Sequence, residues 1–242
     1  MSLEDAKKEL FKRVEQKYLL NEEKFLLLHD MLQQYFQKDK YYESSIYNIY
    51  FDNKNNDIII NSIEKPKYKE KIRLRSYGKV KNNDIVFLEM KQKYNGVVYK
   101  RRVNLTLKDY NNYYKKKKNL NNNQMLREID YYIKYYNLKP YIFVGYDRLS
   151  YYSKEDKNFR VTFDTNLRSR FNDLRLVDTK DNKLYFDEKM YIMEVKSLYG
   201  LPLWFTNILS SNNIYPVSFS KVGSIYKKER ESYVREHFKQ YN

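Results

Sequence analysis

Basic residues recur at alternate positions in several short segments of the chain. Lys69, Lys71, Arg73 and Arg75 occupy every second position of one segment, in which Ile72 and Leu74 lie between the last three. Because successive side chains of a β-strand point to opposite faces, these four cations share one face. The pattern recurs in four further segments, at Glu89, Lys91 and Lys93; at Lys100 and Arg102; at Arg13, Glu15 and Lys17; and at Glu194 and Lys196. Five predicted strands therefore carry an ionic face.

Arginine and lysine with a few glutamates form a set suited to binding phosphate groups and a divalent cation. The alternative for any single strand is the solvated outer face of an ordinary sheet. Five such strands together favour a wet cavity lined by these side chains, if the sheet closes. Such a cavity would be repulsive when empty, because like charges are held close together in a reduced dielectric. It would therefore require a polyanion or many counterions.

The segments that carry these residues are predicted to form an antiparallel sheet. Three of these strands are predicted to form an antiparallel meander, at 69–77, 85–94 and 97–105. Turn-forming residues at 78–84 and at Asn95-Gly96 connect them. Further strands are predicted at 13–20, 45–51, 142–152, 160–164, 175–177 and 190–197. Helices are predicted from Asn21 to before Asp39, at 107–118 and 124–136, from Pro202 onward, and at 223–238. We expect a single α+β domain over 1–242, with seven to nine antiparallel strands that fit a barrel better than a parallel sheet.

The composition restricts the class of molecule that the protein is expected to bind and the cellular compartment in which it is expected. The chain has 242 residues, 47 Lys and Arg against 31 Asp and Glu, and a net charge of +16. This excess implies an anionic partner, namely nucleic acid, a phosphorylated substrate or a membrane surface. The absence of cysteine excludes disulfides and thiolate metal sites and agrees with a reducing compartment. No signal peptide and no membrane span are recognisable, so we expect a cytoplasmic protein.

Nine segments, in order from about Lys12 to Tyr226, resemble the VTC domain, the polyphosphate polymerase module of vacuolar transporter chaperones and their bacterial relatives. They are RVEQKY at 13–18, YFD at 50–52, KIRLRSYG at 71–78, FLEMK at 87–91, VYKRR at 98–102, YDR at 146–148, FD at 163–164, MEVK at 193–196 and SFSK at 218–221. This family belongs to the CYTH-like triphosphate tunnel metalloenzymes. The resemblance implies a closed antiparallel β-barrel of about eight strands, with a basic tunnel inside and helices packed outside.

The resemblance also implies an activity and a set of site residues. The expected reaction is metal-dependent transfer of the γ-phosphoryl group of ATP to a growing inorganic polyphosphate chain inside the tunnel. The expected catalytic residues are Arg73, Arg75, Arg148 and Lys221. The expected phosphate-binding residues are Lys17, Lys91, Lys100, Arg102, Tyr146, Lys196 and Ser220. Glu194 is the expected ligand of Mn²⁺ or Mg²⁺, and Glu15 and Glu89 either join it or orient neighbouring cations.

One position departs from the wider superfamily. The first strand there carries two glutamates before its lysine, whereas Arg13 stands at the first of these positions here. This favours the VTC branch over tripolyphosphatases and adenylate cyclases of the same fold, and it weakens the case for a two-metal site.

Alternative functions remain open at the level of sequence. A hydrolase of tripolyphosphate or nucleoside triphosphates needs only water in place of the acceptor phosphate. A catalytically silent polyphosphate-binding module is a third reading. A nucleic-acid-binding module would need aromatic side chains on the basic face, and most fall opposite it, so ATP and polyphosphate are the expected partners and nucleic acid is not. A membrane-associated partner protein is compatible with the family.

Several conspicuous residues are given no role in the site. Lys93 and Arg101 are expected to be solvent-facing charges, and Trp204 is expected to belong to the core. Neither His29 nor His237 has a partner histidine at metal-ligand spacing.

Overall fold

A computed structural model describes residues 14–64, 66–95, 97–116, 123–198 and 200–238. The strands are β1 (Val14–Asn21), β2 (Phe36–Asp52), β3 (Tyr68–Tyr77), β4 (Ile85–Tyr94), β5 (Val97–Thr106), β6 (Lys139–Ser153), β7 (Arg160–Arg170), β8 (Lys183–Leu184) and β9 (Met190–Ser197). The helices are α1 (Glu22–Leu32), α2 (Asp57–Glu64), α3 (Leu107–Lys116), α4 (Gln124–Tyr135), α5 (Leu203–Ser211) and α6 (Lys221–Phe238). Arg13, predicted to begin the first strand, lies outside the described residues.

The strands hydrogen-bond in the order β1-β9-β7-β6-β2-β3-β4-β5, and β8 pairs with β7. The pairings β1–β9, β2–β3, β3–β4, β4–β5, β7–β8 and β7–β9 are antiparallel. The predicted α+β class with a large antiparallel sheet is therefore confirmed. Within the described ranges no pairing joins β1 to β5, the two ends of this order. Closure into a barrel stays a prediction.

The chain divides into two compact units, and β2, β6 and β7 contribute residues to both. Of the described residues, those within 1–44, 146–167 and 186–219 form the first unit, and those within 45–145, 168–185 and 220–242 form the second. An aromatic core fills the first unit, in which the rings of Phe25 and Tyr191 stack at 3.7 Å. An aliphatic core fills the second unit and includes Ile72, Leu74 and Ile129, each at most 1% exposed. The alternation in β3 thus places its apolar face in a core, as predicted.

Helix α1 begins where the sequence predicts and ends earlier. The Asn21 side chain accepts a hydrogen bond from the backbone N–H of Lys24 at 2.9 Å, which caps the helix. The helix ends at Leu32 rather than just before Asp39. The reason is that Phe36 starts β2 and packs in the aromatic core, with its ring 5.1 Å from that of Phe159.

The predicted strand at 175–177 is wrong. These residues form a loop whose backbone binds a buried arginine: Arg170 donates from Nε to the carbonyl of Asp173 at 2.8 Å and from Nη2 to that of Arg175 at 2.6 Å. The apolar Leu176 is buried in the core of the second unit rather than in a strand. Its hydrophobicity therefore reflects packing of a loop.

Helix α2 was not predicted, because the residue that caps it, Asp52, belongs to the preceding strand. The Asp52 carboxylate accepts from the backbone N–H groups of Ile58 at 3.0 Å and Ile59 at 2.9 Å. Burial raises the pKa of Asp52, and these backbone hydrogen bonds oppose that effect.

Across the described part of the chain, no helix is both long and apolar enough to cross a membrane.

Candidate functional site

Strands β2 to β5 of the second unit present one continuous basic face, formed by the residues opposite the aliphatic core. In the β3–β4 and β4–β5 registers, Lys71 lies beside Lys91, which lies beside Lys100. We call these three residues the lysine row. Directly opposed residues in antiparallel strands have Cβ atoms about 5 Å apart, and like charges so placed repel each other. The lysine row is therefore an arrangement that an anion would stabilise.

A second row on this face joins arginine to glutamate. In the same registers, Arg73 lies beside Glu89, which lies beside Arg102, and we call these three residues the arginine row. Glu89 Oε2 accepts from Arg73 Nε at 2.7 Å and Oε1 accepts from Arg102 Nε at 2.7 Å. Arg75 Nε is 3.7 Å from Glu89 Oε2. One carboxylate thus holds three guanidinium groups.

The electrostatic surroundings of Glu89 keep it ionised. Burial would raise its pKa, but Arg73, Arg75 and Arg102 together lower it to about 2. A carboxylate so surrounded is saturated with cationic partners, which suits the orienting role considered for Glu89 better than metal binding.

Arg75 is the most buried cation of this face, at 7% exposure. Its Nε donates to Asn48 Oδ1 at 2.9 Å, and Asn48 Nδ2 in turn donates to the Val144 carbonyl at 3.1 Å. Arg75 also interacts with Tyr77: burial would raise the pKa of Tyr77, but Arg75 and Arg102 lower it. Arg75 is therefore held rigidly by polar contacts on the second unit.

Ser220 and Lys221 lie where α6 begins. Ser220 Oγ accepts from the Gly223 backbone N–H at 3.3 Å, which is the geometry of a helix cap, and from Lys71 Nζ at 3.0 Å. Lys221 is the first residue of α6. A helix N-terminus carries partial positive charge and favours anions. Ser220 thereby links the lysine row to a helix end.

The remaining predicted site residues lie on the first unit. In the β1–β9 and β7–β9 registers, Glu194 lies between Lys17 and Thr162. Glu194 forms an ion pair with Lys196, and Lys17 Nζ donates to the Phe219 carbonyl at 2.9 Å. The hydroxyl of Thr162 is buried and has no hydrogen-bond partner. Glu15 lies opposite Lys196, two residues further along the same two strands.

Arg148 forms a bidentate ion pair on this unit. Its Nε is 2.5 Å from Asp164 Oδ1 and its Nη2 is 2.8 Å from Oδ2. Its guanidinium carbon is 5.4 Å from the Tyr146 ring centroid. Burial would lower the pKa of Arg148, but Asp164, Tyr146 and Glu194 raise it well above the ordinary value. Arg148 is therefore a fixed cation with a defined orientation.

A metal site built from several protein carboxylates is not found in the described ranges, where no group of three or more His, Cys, Asp or Glu is placed to hold an ion. The residues at Glu194 fit a different mode, in which Mg²⁺ is bound through one or two carboxylates together with substrate phosphates. The Thr162 hydroxyl has no hydrogen-bond partner and lies on the residue opposite Glu194, so it is a second candidate oxygen ligand for the cation.

The predicted site residues thus fall into two groups. The second unit carries Arg73, Arg75, Glu89, Lys91, Lys100, Arg102, Ser220 and Lys221, and the first carries Glu15, Lys17, Tyr146, Arg148, Glu194 and Lys196. Arg101 points away from the basic face and donates from Nε to Glu128 Oε2 at 2.7 Å. Trp204 stacks on Tyr35 with ring centroids 3.9 Å apart and belongs with the core, as predicted.

Sequence reasoning missed four contributors to these clusters. Lys71 was seen on the ionic face but was left out of the site, and Asn48, Tyr50 and Asp164 were given no role. Tyr50 and Asp164 lie within segments that carry the family resemblance, so a signal for them was present. The sequence contains no such signal for Asn48, because its role depends on the register that places it opposite Arg75.

The sequence matches the VTC domain over residues 12–228, which is most of the chain. The chain belongs to the VTC domain family. No curated protein matches the sequence of this VTC domain. Its structure is similar to that of a candidate adenylate cyclase from Bacillus halodurans, with a TM-score of 0.53 and 16% identity over 86% of this chain and 95% of that one. A candidate adenylate cyclase from Vibrio parahaemolyticus gives a TM-score of 0.48 and 10% identity over 89% of this chain and 98% of that one. At such identities the first similarity shows a shared fold.

Proposed function

We propose that this VTC domain is a polyphosphate polymerase, which transfers the γ-phosphoryl group of ATP to the end of an inorganic polyphosphate chain. The observation that carries the proposal is the pair of cation rows on the second unit, in a chain of this family. The rows place cations on a grid with about 5 Å between neighbouring strands. One phosphate group could therefore contact cations of two strands at once, which suits a polymer of phosphates.

The guanidinium groups are oriented in advance of substrate binding. Glu89 holds Arg73 and Arg102, and Asn48 holds Arg75. Asp164 does the same for Arg148 on the first unit. Pre-oriented donors stabilise developing charge without reorganisation during the reaction. This is the form of catalysis that phosphoryl transfer needs, since its transition state spreads charge over the non-bridging oxygens.

The proposed transfer needs no nucleophilic side chain. An oxygen of the terminal phosphate of the acceptor forms a bond to the γ-phosphorus of ATP. The bond from that phosphorus to the β–γ bridging oxygen breaks, and ADP leaves with the electron pair. The acceptor oxygen is already ionised near neutral pH, so no general base is required. In this proposal Arg73, Arg75, Arg148 and Lys221 bind the transferring group, while Lys17, Lys91, Lys100, Arg102, Tyr146, Lys196 and Ser220 bind the neighbouring phosphates.

Glu194, with Thr162 beside it, would hold the divalent cation, Mn²⁺ or Mg²⁺. When bound, the cation neutralises charge on phosphate oxygens. Lys196, which pairs with Glu194, would then be available to a phosphate. The proposal includes closure of the sheet into a barrel around a basic tunnel. The use of ATP as a substrate agrees with the expected cytoplasmic location.

The direct test is product analysis. Purified protein is incubated with γ-labelled ATP and Mn²⁺, and the products are separated on a polyacrylamide gel. Long labelled chains support the proposal. Release of labelled orthophosphate alone would contradict it and would indicate a hydrolase on the same scaffold.

A variant pair on β5 makes this test specific to the basic face. Arg102 lies in the arginine row, whereas the adjacent Arg101 faces the opposite side and pairs with Glu128. We expect Arg102→Ala to reduce chain synthesis strongly and Arg101→Ala to leave it near wild type. Arg75→Ala is a poorer choice for this test, because removing the buried Arg75 side chain would leave Asn48 Oδ1 without this partner.

A further inference from the structure

Tyr50 lies on the basic face of the second unit, and the mechanism above gives it no part. In the β2–β3 register it is directly opposite Arg73. Its hydroxyl accepts a hydrogen bond from Arg73 Nη1 at 3.1 Å, and the guanidinium carbon of Arg73 is 5.8 Å from the Tyr50 ring centroid. Tyr50 is 7% exposed. The phenol is therefore packed against an arginine of the arginine row.

Two different groups fix the orientation of Arg73. Glu89 Oε2 accepts from its Nε, and the Tyr50 hydroxyl accepts from its Nη1. Because a guanidinium group is planar, contacts at two of its nitrogens determine where the rest of its N–H groups point. Tyr50 thus helps to fix the orientation of the Arg73 guanidinium group.

The Tyr50 hydroxyl also lies among cations. Burial would raise the pKa of Tyr50, but Arg73, Lys71 and Arg75 of β3 lower it to about 8. On β4 the nearest charge of the arginine row is Glu89, which is bound to Arg73. A phenolate here would be an anion beside cations that a phosphate would otherwise neutralise. Ionisation of Tyr50 and binding of phosphate therefore oppose each other.

We propose that Tyr50 is a positioning residue that orients Arg73 for phosphate, and that loss of its hydroxyl proton weakens the binding of polyphosphate to the basic face. This inference rests on the proposed function, since it assumes that the face binds phosphate chains. The sign follows from linkage. A bound polyanion favours the neutral phenol, so the neutral phenol must favour the bound polyanion by the same factor.

The first test measures binding of long-chain polyphosphate by titration calorimetry without divalent cations, between about pH 7 and about pH 9. Internal phosphates of the chain keep one charge each over this range, and ordinary lysines titrate near pH 10.4. If only the neutral phenol binds and its pKa is about 8, the wild-type dissociation constant rises about tenfold over this range. We expect Tyr50→Phe to lack this tenfold rise. Tyr77 remains in both proteins, so its titration does not enter their difference.

The matched control is Tyr47→Phe, on the same strand. The Tyr47 hydroxyl donates to Asp178 Oδ2 at 2.7 Å, and burial followed by Asp178 raises its pKa, so it does not ionise in this range. This variant should keep the wild-type pH dependence. Equal pH dependence in wild type and Tyr50→Phe would overturn the proposal.

The second test needs a variant only as a reference. Ultraviolet absorbance of tyrosinate in the wild type should show an ionisation step near pH 8 that is absent from Tyr50→Phe, and added polyphosphate should move this step to higher pH. A step that polyphosphate does not move would overturn the proposal. Failure of the wild type to bind polyphosphate at about pH 7 would instead overturn the proposed function, while the tyrosinate step in the unbound protein would still be measurable.

Discussion

Glu89 is expected to contribute more to stability than any surface carboxylate, because it is the common partner of three arginines. Its side chain is 11% exposed, and its pKa falls from the ordinary 4.5 to about 2. A fall of this size corresponds to about 3 kcal/mol in favour of the ionised carboxylate in the folded protein. Glu89→Gln removes the charge with little change of shape. We expect it to lower the free energy of unfolding by about 3 kcal/mol at neutral pH.

The assay is urea denaturation followed by circular dichroism, on wild type, Glu89→Gln and a control. The control is Glu128→Gln, since Glu128 accepts from Arg101 Nε at the same 2.7 Å but with its side chain 33% exposed. An exposed pair of this kind contributes at most about 1 kcal/mol. Similar losses for the two variants, or a loss below about 1 kcal/mol for Glu89→Gln, would contradict a stabilising role of Glu89 as the shared partner of three arginines.

The pH dependence of this contribution has a definite sign. A carboxylate whose pKa is lowered by folding stabilises the protein fully above its unfolded pKa, here 4.5, and loses that contribution as the pH falls through the folded value of about 2. The difference between wild type and Glu89→Gln should therefore be constant from neutral pH down to about pH 5. A difference that shrinks already near pH 6 would point to another group.

Three further predictions concern Arg102, Arg148 and Ser220. Arg102→Ala should weaken polyphosphate binding and reduce its salt dependence, whereas Arg101→Ala should change neither, as measured by calorimetry at two salt concentrations. Arg148→Lys should reduce the rate of chain synthesis at saturating ATP, because lysine cannot form the bidentate pair with Asp164 that orients the guanidinium. Ser220→Ala should lower stability by about 1 kcal/mol through loss of the α6 cap and should also weaken polyphosphate binding, as measured by urea denaturation and calorimetry.

The sequence predicted those parts of the fold that depend on local pattern. Strands β3, β4 and β5 could be placed because cations and aliphatic residues alternate in them, and the structure puts Ile72, Leu74 and Leu88 in the core as the alternation requires. Helix α2 could not be placed, because its cap Asp52 belongs to the preceding strand. Residues 175–177 were misread because a buried loop leucine has the same signature as a strand residue.

The candidate site draws on the sequence and on the structure in different ways. Alternation and family resemblance together indicated most of its candidate cations, because each lies within a recognisable segment, although Lys71 was not among them. What they could not supply is which neighbour each cation has, since that depends on register. Glu89 was expected either to bind metal or to orient its neighbours, and only the register shows it between Arg73 and Arg102. The pairing of Tyr50 with Arg73 across β2 and β3 is hidden in the same way.

The proposed function requires that the rows on β3, β4 and β5 bind a chain of phosphates. A crystal soaked with Mn²⁺ and a non-hydrolysable ATP analogue would locate the phosphate groups directly. We expect triphosphate oxygens within hydrogen-bonding distance of Arg73 and Lys91, with the metal at Glu194. A triphosphate bound away from both cation rows, with Arg73 and Lys91 contacting only protein groups, would contradict it.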